Sequence, residues 1–275
     1  MTETTRPPRA AVTREDPDTD DPNLGAISKG LRILEVLAHE GPVLGLSEIA
    51  RRTEIAKTTT LRVLVALQAG GFVERSGKKY RLSWRVLELN RGVPFCEPGG
   101  LLDVALPHLS ELHQTSGLSV SLAVLDGDHV RYLARIHRAG SFRLPGGTGA
   151  RVPATCTALG KAILAFQPPG VVEEIARQGL PVLTPRSLTS EKVLSEQLAT
   201  VRTHGLAYDR EESALGVVCV AAPVLHRGRA VAAISVSGRA ERLVARSLDG
   251  LLRKVAASAA SDYARATGGR RLPGL

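Results

Sequence analysis

The sequence predicts an α+β chain in two parts: a small N-terminal unit of short helices closed by a hairpin, then a larger domain built on a largely antiparallel sheet. Three observations carry this. Apolar residues recur at helical spacing up to about residue 69, and the chain then switches to strand-like alternation. Beyond residue 98, two turn-centred pairs of β-rich runs alternate with helical stretches. Positive charge is concentrated early: residues 1–23 carry three Arg against six acids, 24–91 carry twelve Lys/Arg against six, and 92–275 carry 21 against 15. The length of 275 residues suits two domains, and 43% hydrophobic content is enough for two cores.

Residues 1–23, rich in Pro, Thr and Asp, are expected to be a disordered tail. Ile27, Leu31, Leu34 and Leu37 then mark a first helix with Ser28 as a plausible cap, ended by Gly41-Pro42. Ser47 is the expected N-cap of a second helix, with Glu48 in its first turn. After a turn through Thr53-Glu54-Ile55, a third helix runs from Lys57 to about Ala69 and stops at Gly70-Gly71. Phe72–Arg75 and Lys79–Leu82 alternate as a hairpin around Ser76-Gly77-Lys78, and a helical pattern from Leu82 to Leu89 follows.

In the second part, a helix is expected over Leu102–Thr115. Strands Ser119–Leu125 and Val130–Ile136 are joined at Asp126-Gly127-Asp128. Thr157–Ala165 and Ser190–Thr203 read as helices, the latter ended by Gly205. Val217–Leu225 and Ala230–Ser237 pair around His226-Arg227-Gly228, and the chain closes on an amphipathic helix with Val244, Leu248, Leu251, Val255 and Ala259 on one face. The resulting divisions are a tail (1–23), a small helical unit closed by the hairpin (24–83), a linker helix (84–98), a larger domain (99–268) and a short tail (269–275).

Two short helices, a tight turn and a basic hairpin are the layout of a winged helix-turn-helix, whose second helix enters the DNA major groove N-terminus first. The candidates for contact are then Lys57, Thr58, Thr59 and Arg62, with Leu61 on the same outward face and Lys78 and Lys79 in the wing. Thr60, Val63, Leu64 and Leu67 share the opposite face and should be core. Double-stranded DNA is the expected partner, read by a homodimer because one helix covers too few base pairs.

Other chemistries are poorly supported. Cys96, Cys156 and Cys219 are isolated, so neither a disulfide framework nor a zinc site is indicated, and no cofactor is expected. Gly160-Lys161 is followed by Ala162, which excludes a P-loop. An enzyme reading would pair Cys219 with His226 or His204 and Asp209, but Cys219 sits mid-strand among apolar residues. A winged helix used only for protein contact is a third class, separable by salt dependence. No apolar run reaches the length of a membrane span and no signal core opens the chain, so a cytoplasmic protein is expected.

The chain also resembles the isocitrate lyase regulator (IclR) family of bacterial transcription factors. The likeness rests on Ser28-Lys29-Gly30-Leu31-Arg32-Ile33-Leu34, Leu46-Ser47-Glu48-Ile49-Ala50, Thr58-Thr59-Thr60-Leu61-Arg62-Val63-Leu64 and Gly71-Phe72-Val73. It continues in Cys156–Ala162, Val201–Gly205 with Asp209-Arg210-Glu211-Glu212, Gly216–Pro223 and Ala233–Gly238. The resemblance implies a GAF-like effector domain, dimers through the DNA-binding half, frequent tetramers through the effector halves, and effectors that are commonly small carboxylic or aromatic acids. It assigns effector contact to Asp209, Cys219, Ser235 and Ser237, with Thr155, Cys156, Thr157 and Ala158 closing the site. Ser235 and Ser237 alternate on one strand and therefore share a face. An anionic ligand would need a base against Asp209, and Arg135, Arg138 and Arg143 are equal candidates. Ala158 and Leu159 stand where relatives commonly have Gly, so the resemblance does not carry over an effector.

Overall fold

The computed structural model describes residues 25–39, 43–89, 94–97, 99–137, 147–239 and 248–268. The chain divides into two compact units, meeting in sequence between residues 93 and 94. The expected tails and the residues Val244, Arg138 and Arg143 lie outside the described residues.

The N-terminal unit holds α1 (Ala26–His39), β1 (Leu44–Gly45), α2 (Leu46–Thr53), α3 (Lys57–Ala69), β2 (Val73–Ser76), β3 (Lys79–Leu82) and α4 (Arg85–Leu89). Its core gathers Ile33 and Leu37 of α1, Ile49 of α2, Leu64 of α3, and Val73, Tyr80 and Leu44 of the sheet. Both expected caps are corrected. Helix α1 already begins at Ala26, with Lys29 N–H donating to Gly25 O, so Ser28 lies inside its first turn. Helix α2 begins at Leu46 because β1 is tied to β3 (Leu44 opposite Tyr80), and the chain passes from strand straight into helix with Gly45 at the cap. Ser47 therefore caps nothing, while Glu48 pairs with Arg51 and Arg52. The expected apolar stripe of α1 is split: Leu37 is buried, but Ile27 and Leu31 are exposed.

Helix α3 stops at the second of its two glycines, Gly70 remaining right-handed at φ −72°. Gly71 takes φ +78°, and Phe72 N–H donates to Leu67 O. The wing is a tight hairpin in which Ser76 faces Lys79 and Gly77, at φ +62°, supplies the left-handed turn residue. Leu82 belongs to β3, so the helical stretch starts later than its pattern suggests. The segment 84–98 is not one helix: Pro94–Cys96 is a 3₁₀ turn, and 90–93 and 98 lie outside the described residues.

The C-terminal unit is a six-stranded antiparallel sheet in the order β6-β5-β4-β9-β8-β7, with helices on both faces. Its elements are α5 (Leu101–Ser116), β4 (Ser119–Asp126), β5 (His129–Ile136), β6 (Arg151–Pro153), α6 (Ala158–Leu164), α7 (Pro169–Arg177), α8 (Glu191–His204), β7 (Ala207–Arg210), β8 (Val218–His226), β9 (Arg229–Gly238) and α9 (Asp249–Ala266). One face carries Val120, Leu122, Val220, Ala222, Ile234 and Val236 under α5 and α9. The other is lined by alanines, Ala123, Ala207, Ala221 and Ala233, and these small side chains let α6 lie close to the sheet. Every residue of α6 is buried.

Candidate functional site

Helices α2 and α3 are joined by Glu54, Ile55 and Ala56, with Glu54 in the left-handed region at φ 56°. Thr60 sets the inner side of α3: it is fully buried, and its Oγ1 donates to Ile55 O and Ala56 O, both at 3.1 Å. Leu64 is buried beside it, whereas Val63 and Leu67 are half-buried. This inner face fixes the outer one. Lys57, Thr58, Leu61 and Arg62 are exposed and Thr59 is half-buried. The cap position is Ala56, which offers no side-chain acceptor to the first N–H groups of α3. An uncapped helix start with Lys57 and Arg62 on its open side is suited to an anionic partner.

Lys78 and Lys79 are exposed at the tip of the wing. Arg75 was missed by sequence reasoning. Its guanidinium lies 5.9 Å from the Tyr80 ring centre and Nε donates to Gly77 O at 2.8 Å, which holds a cation at the hairpin end. The opposite pair Glu74 and Arg81 neutralise each other across the strands at 2.8 Å.

In the second unit, register brings the resemblance-derived residues together on the α6 face of the sheet. Asp209 is opposite Cys219, Cys219 opposite Ser237, and Ser237 opposite Ser119. In the adjoining row Ala221 faces Ser235, Ser235 faces Ser121, and Ser121 faces Arg135. Ser235 and Ser237 are buried, not solvent-facing. Ser119 and Ser121 extend the hydroxyl surface and were missed, although their alternation on a predicted strand is the same signal that singled out Ser235 and Ser237.

The covering stretch is built around a close backbone approach. A Cβ on Gly160 would sit 2.0 Å from Ala154 O, so only glycine allows α6 to meet the preceding 3₁₀ turn. Thr157 caps α6, accepting from Gly160 N–H at 2.9 Å. Thr155 is buried, and its Oγ1 has no hydrogen-bond partner. Cys156 Sγ lies 3.2 Å from Pro181 O, and burial pushes its thiol above the ordinary range. Ala158 and Leu159 pack into the helix–sheet core.

Asp209 and Lys161 shape the loop above this face. Asp209 Oδ1 accepts from Glu212 N–H at 2.7 Å and Oδ2 from the Ser213 hydroxyl at 2.6 Å. Burial nevertheless raises its carboxyl to about 6. Lys161, fully buried, donates to both Glu212 oxygens (2.8 and 2.6 Å) and to Gln197 Oε1 at 2.9 Å. The pair pins α6 and α8 to the 211–213 loop.

The imagined catalytic set is not assembled. His226 packs edge-on against Tyr263, a residue of the opposite core, and His204 Nδ1 contacts Thr200 O at the end of α8. Burial raises the Cys219 thiol well above its usual range, opposite to what a nucleophile needs. Among the described residues no group of His, Cys, Asp and Glu is placed to hold a metal, and no helix is long and apolar enough to cross a membrane.

Known proteins share both units. Residues 26–77 match the IclR helix-turn-helix domain, and residues 98–262 match the bacterial transcriptional regulator IclR C-terminal domain. The HTH-type transcriptional regulator BhcR of Paracoccus denitrificans is 33% identical over 82% of this chain and 81% of its own length. The transcriptional repressor IclR of Escherichia coli is 32% identical over 79% and 81% respectively. Among solved structures, the Thermotoga maritima IclR is similar with a TM-score of 0.73 and 28% identity, covering 86% of this chain and 98% of that one. An IclR homologue from Microbacterium hydrocarbonoxydans, complexed with 4-hydroxybenzoate, is similar at 0.72 and 26% identity, covering 88% and 100%. The chain therefore belongs to the IclR family of bacterial transcriptional regulators, with a helix-turn-helix unit for DNA and a C-terminal ligand-binding domain.

Proposed function

We propose that α3 and the wing read an operator and that a small organic or aromatic acid, seated between the serine-lined sheet face and the 154–158 stretch, modulates that reading. The observation that carries the DNA half is the sided construction of α3: Thr60 and Leu64 lock one side into the core and leave Lys57, Thr58 and Arg62 on the other. Small hydroxyls at the helix start approach phosphates, and Arg62 reaches a guanine edge or a phosphate from the next turn. Leu61, 41% exposed, is placed to meet a thymine methyl. Lys78 and Lys79 add phosphate contacts from the wing.

The effector half is supported by the run of buried hydroxyls on one face of the sheet and, on the 154–158 stretch, by Thr155 Oγ1, which is buried without a hydrogen-bond partner. Buried polar groups need partners, and a polar ligand supplies them. The 4-hydroxybenzoate bound by the Microbacterium hydrocarbonoxydans homologue is of the chemical class proposed here. The working form is a homodimer in the cytoplasm, since paired half-sites give the specificity that one helix lacks. Sedimentation showing only monomer at micromolar concentration overturns that part.

The test of the DNA half is fluorescence anisotropy on DNA from upstream of the protein's own gene. Arg62→Ala is expected to weaken operator binding about tenfold to a hundredfold, the effect of losing one base-reading arginine. Unchanged affinity would remove α3 from the interface.

A further inference from the structure

Strand β5 breaks its own alternation. Val130 and Tyr132 point to the α6 face, so strict alternation would put Ala134 and Ile136 there and Arg135 on the opposite side. The register says otherwise. Ala123 pairs with Tyr132, Leu122 pairs with Ala134, and the skipped Leu133 is a bulge. Leu133, Ala134 and Ile136 all pack with the α5–α9 core, and Arg135 is turned onto the α6 face opposite Ser121. Bulges of this kind re-aim a side chain beside a binding site.

The arginine is held there. Its Nε donates to Ser121 Oγ at 3.0 Å, Ser121 being fully buried, and its guanidinium stands 4.3 Å from the centre of the Tyr132 ring. It shares an electrostatic neighbourhood with Cys219 and Asp209. The charges along this face are therefore ordered. A cation stands on β5, hydroxyls follow on β4 and β9, and a thiol and a carboxylate follow on β8 and β7. Lys161, the fully buried cation above the face, is committed to Glu212 and Gln197.

We propose that Arg135 anchors the effector's carboxylate, and that the effector is a ring-bearing monocarboxylate whose body runs over Ser121 and Ser235 toward Ser237 and Cys219. This rests on the reading of the serine-lined face as the effector site. An acid group is drawn to the β5 end and repelled at the Asp209 end, which sets both its orientation and its single charge. Three strand spacings, roughly 14 Å, separate β5 from β8, and the arginine side chain covers about half of that. The remainder fits an aromatic acid better than a two- or three-carbon one.

The test is calorimetric titration of the full-length protein with acetate, pyruvate, benzoate, cinnamate and 3-phenylpropanoate, and with the amide of each. A ring-bearing acid is expected to bind tightest and its amide at least tenfold more weakly. Arg135→Gln should weaken that acid about tenfold to a hundredfold, as loss of a charge-assisted hydrogen bond does, measured at a temperature where the ligand-free variant is fully folded. Arg135→Lys should recover part of the loss, and Ser121→Ala should weaken the acid severalfold by loosening the arginine. Equal binding of acid and amide, or unchanged binding by Arg135→Gln, overturns the anchor. If that acid still releases operator DNA from Arg135→Gln at wild-type concentration, the effector reading stands and the anchor alone falls. If no acid or amide binds the wild-type protein, both fall.

Discussion

Asp209 shows how one residue can be read in two ways. Its carboxylate is saturated by the loop it holds, with Glu212 N–H and the Ser213 hydroxyl on separate oxygens. Its position in register beside Cys219 also places its charge at the far end of the proposed effector row. Burial raises its native carboxyl to about 6 from the ordinary 3.8. The native state thus binds the proton more tightly than the unfolded chain, and the contribution is stabilising below about pH 4 and lost as pH rises through 6. At about 1.4 kcal/mol per unit, this amounts to about 3 kcal/mol at most across the window. Asp209→Asn cannot titrate, so the stability difference between wild type and variant should shift against the wild type between pH 4 and 7. Urea denaturation at several pH values checks this, and a difference independent of pH would contradict the raised carboxyl.

At the scale of elements, the docking of α6 depends on a single hydrogen atom. Gly160 meets Ala154 O and Cα so closely that a methyl group has no space, and the contact is with backbone and not with a yielding side chain. Gly160→Ala should cost about 3 kcal/mol or more, since relief requires moving the helix or the turn. For a domain of this size, thermal melting should fall by roughly 6–12 °C. An unchanged melting temperature would mean that the turn relaxes freely.

The elements also mark what sequence could reveal. Helix α3, both long hairpins of the second unit and helices α5, α6 and α8 were readable because each has a long period or a strong turn signal. Gly127, and Arg227 with Gly228, indeed take positive φ. Strands β1, β6 and β7, of two, three and four residues, are too short to show a period, and helix α7, nine residues long and opening behind Pro168-Pro169, shows its Val171-Val172-Ile175 repeat over barely two turns. The candidate site was legible where alternation holds, as at Ser235 and Ser237. It was undecided at Arg135, one of three arginines the sequence offered, because a bulge reverses alternation and leaves no mark in the sequence.

For the whole molecule, charge is the property that matters. The excess of six positive charges over residues 24–91 belongs to the unit with the exposed face of α3 and the lysine-tipped wing. Lys57, Arg62, Lys78 and Lys79 from each of two protomers would release counterions from about eight phosphates, giving a slope of log affinity against log salt near −7. A protein-contact module with the same charge would share the salt dependence but bind the upstream site no better than competitor DNA.

On the reading proposed above, this chain binds operator DNA through α3 and the wing under control of an acid bound in its second unit. The measurement that tests it most directly is the anisotropy titration of an upstream DNA fragment across a salt series, with and without a bound ring-bearing acid. The expected result is a steep salt slope, a flatter one for Arg62→Ala, and a change in operator affinity of at least fivefold on adding the acid. No binding at any salt, or binding indifferent both to salt and to the acid, would contradict it.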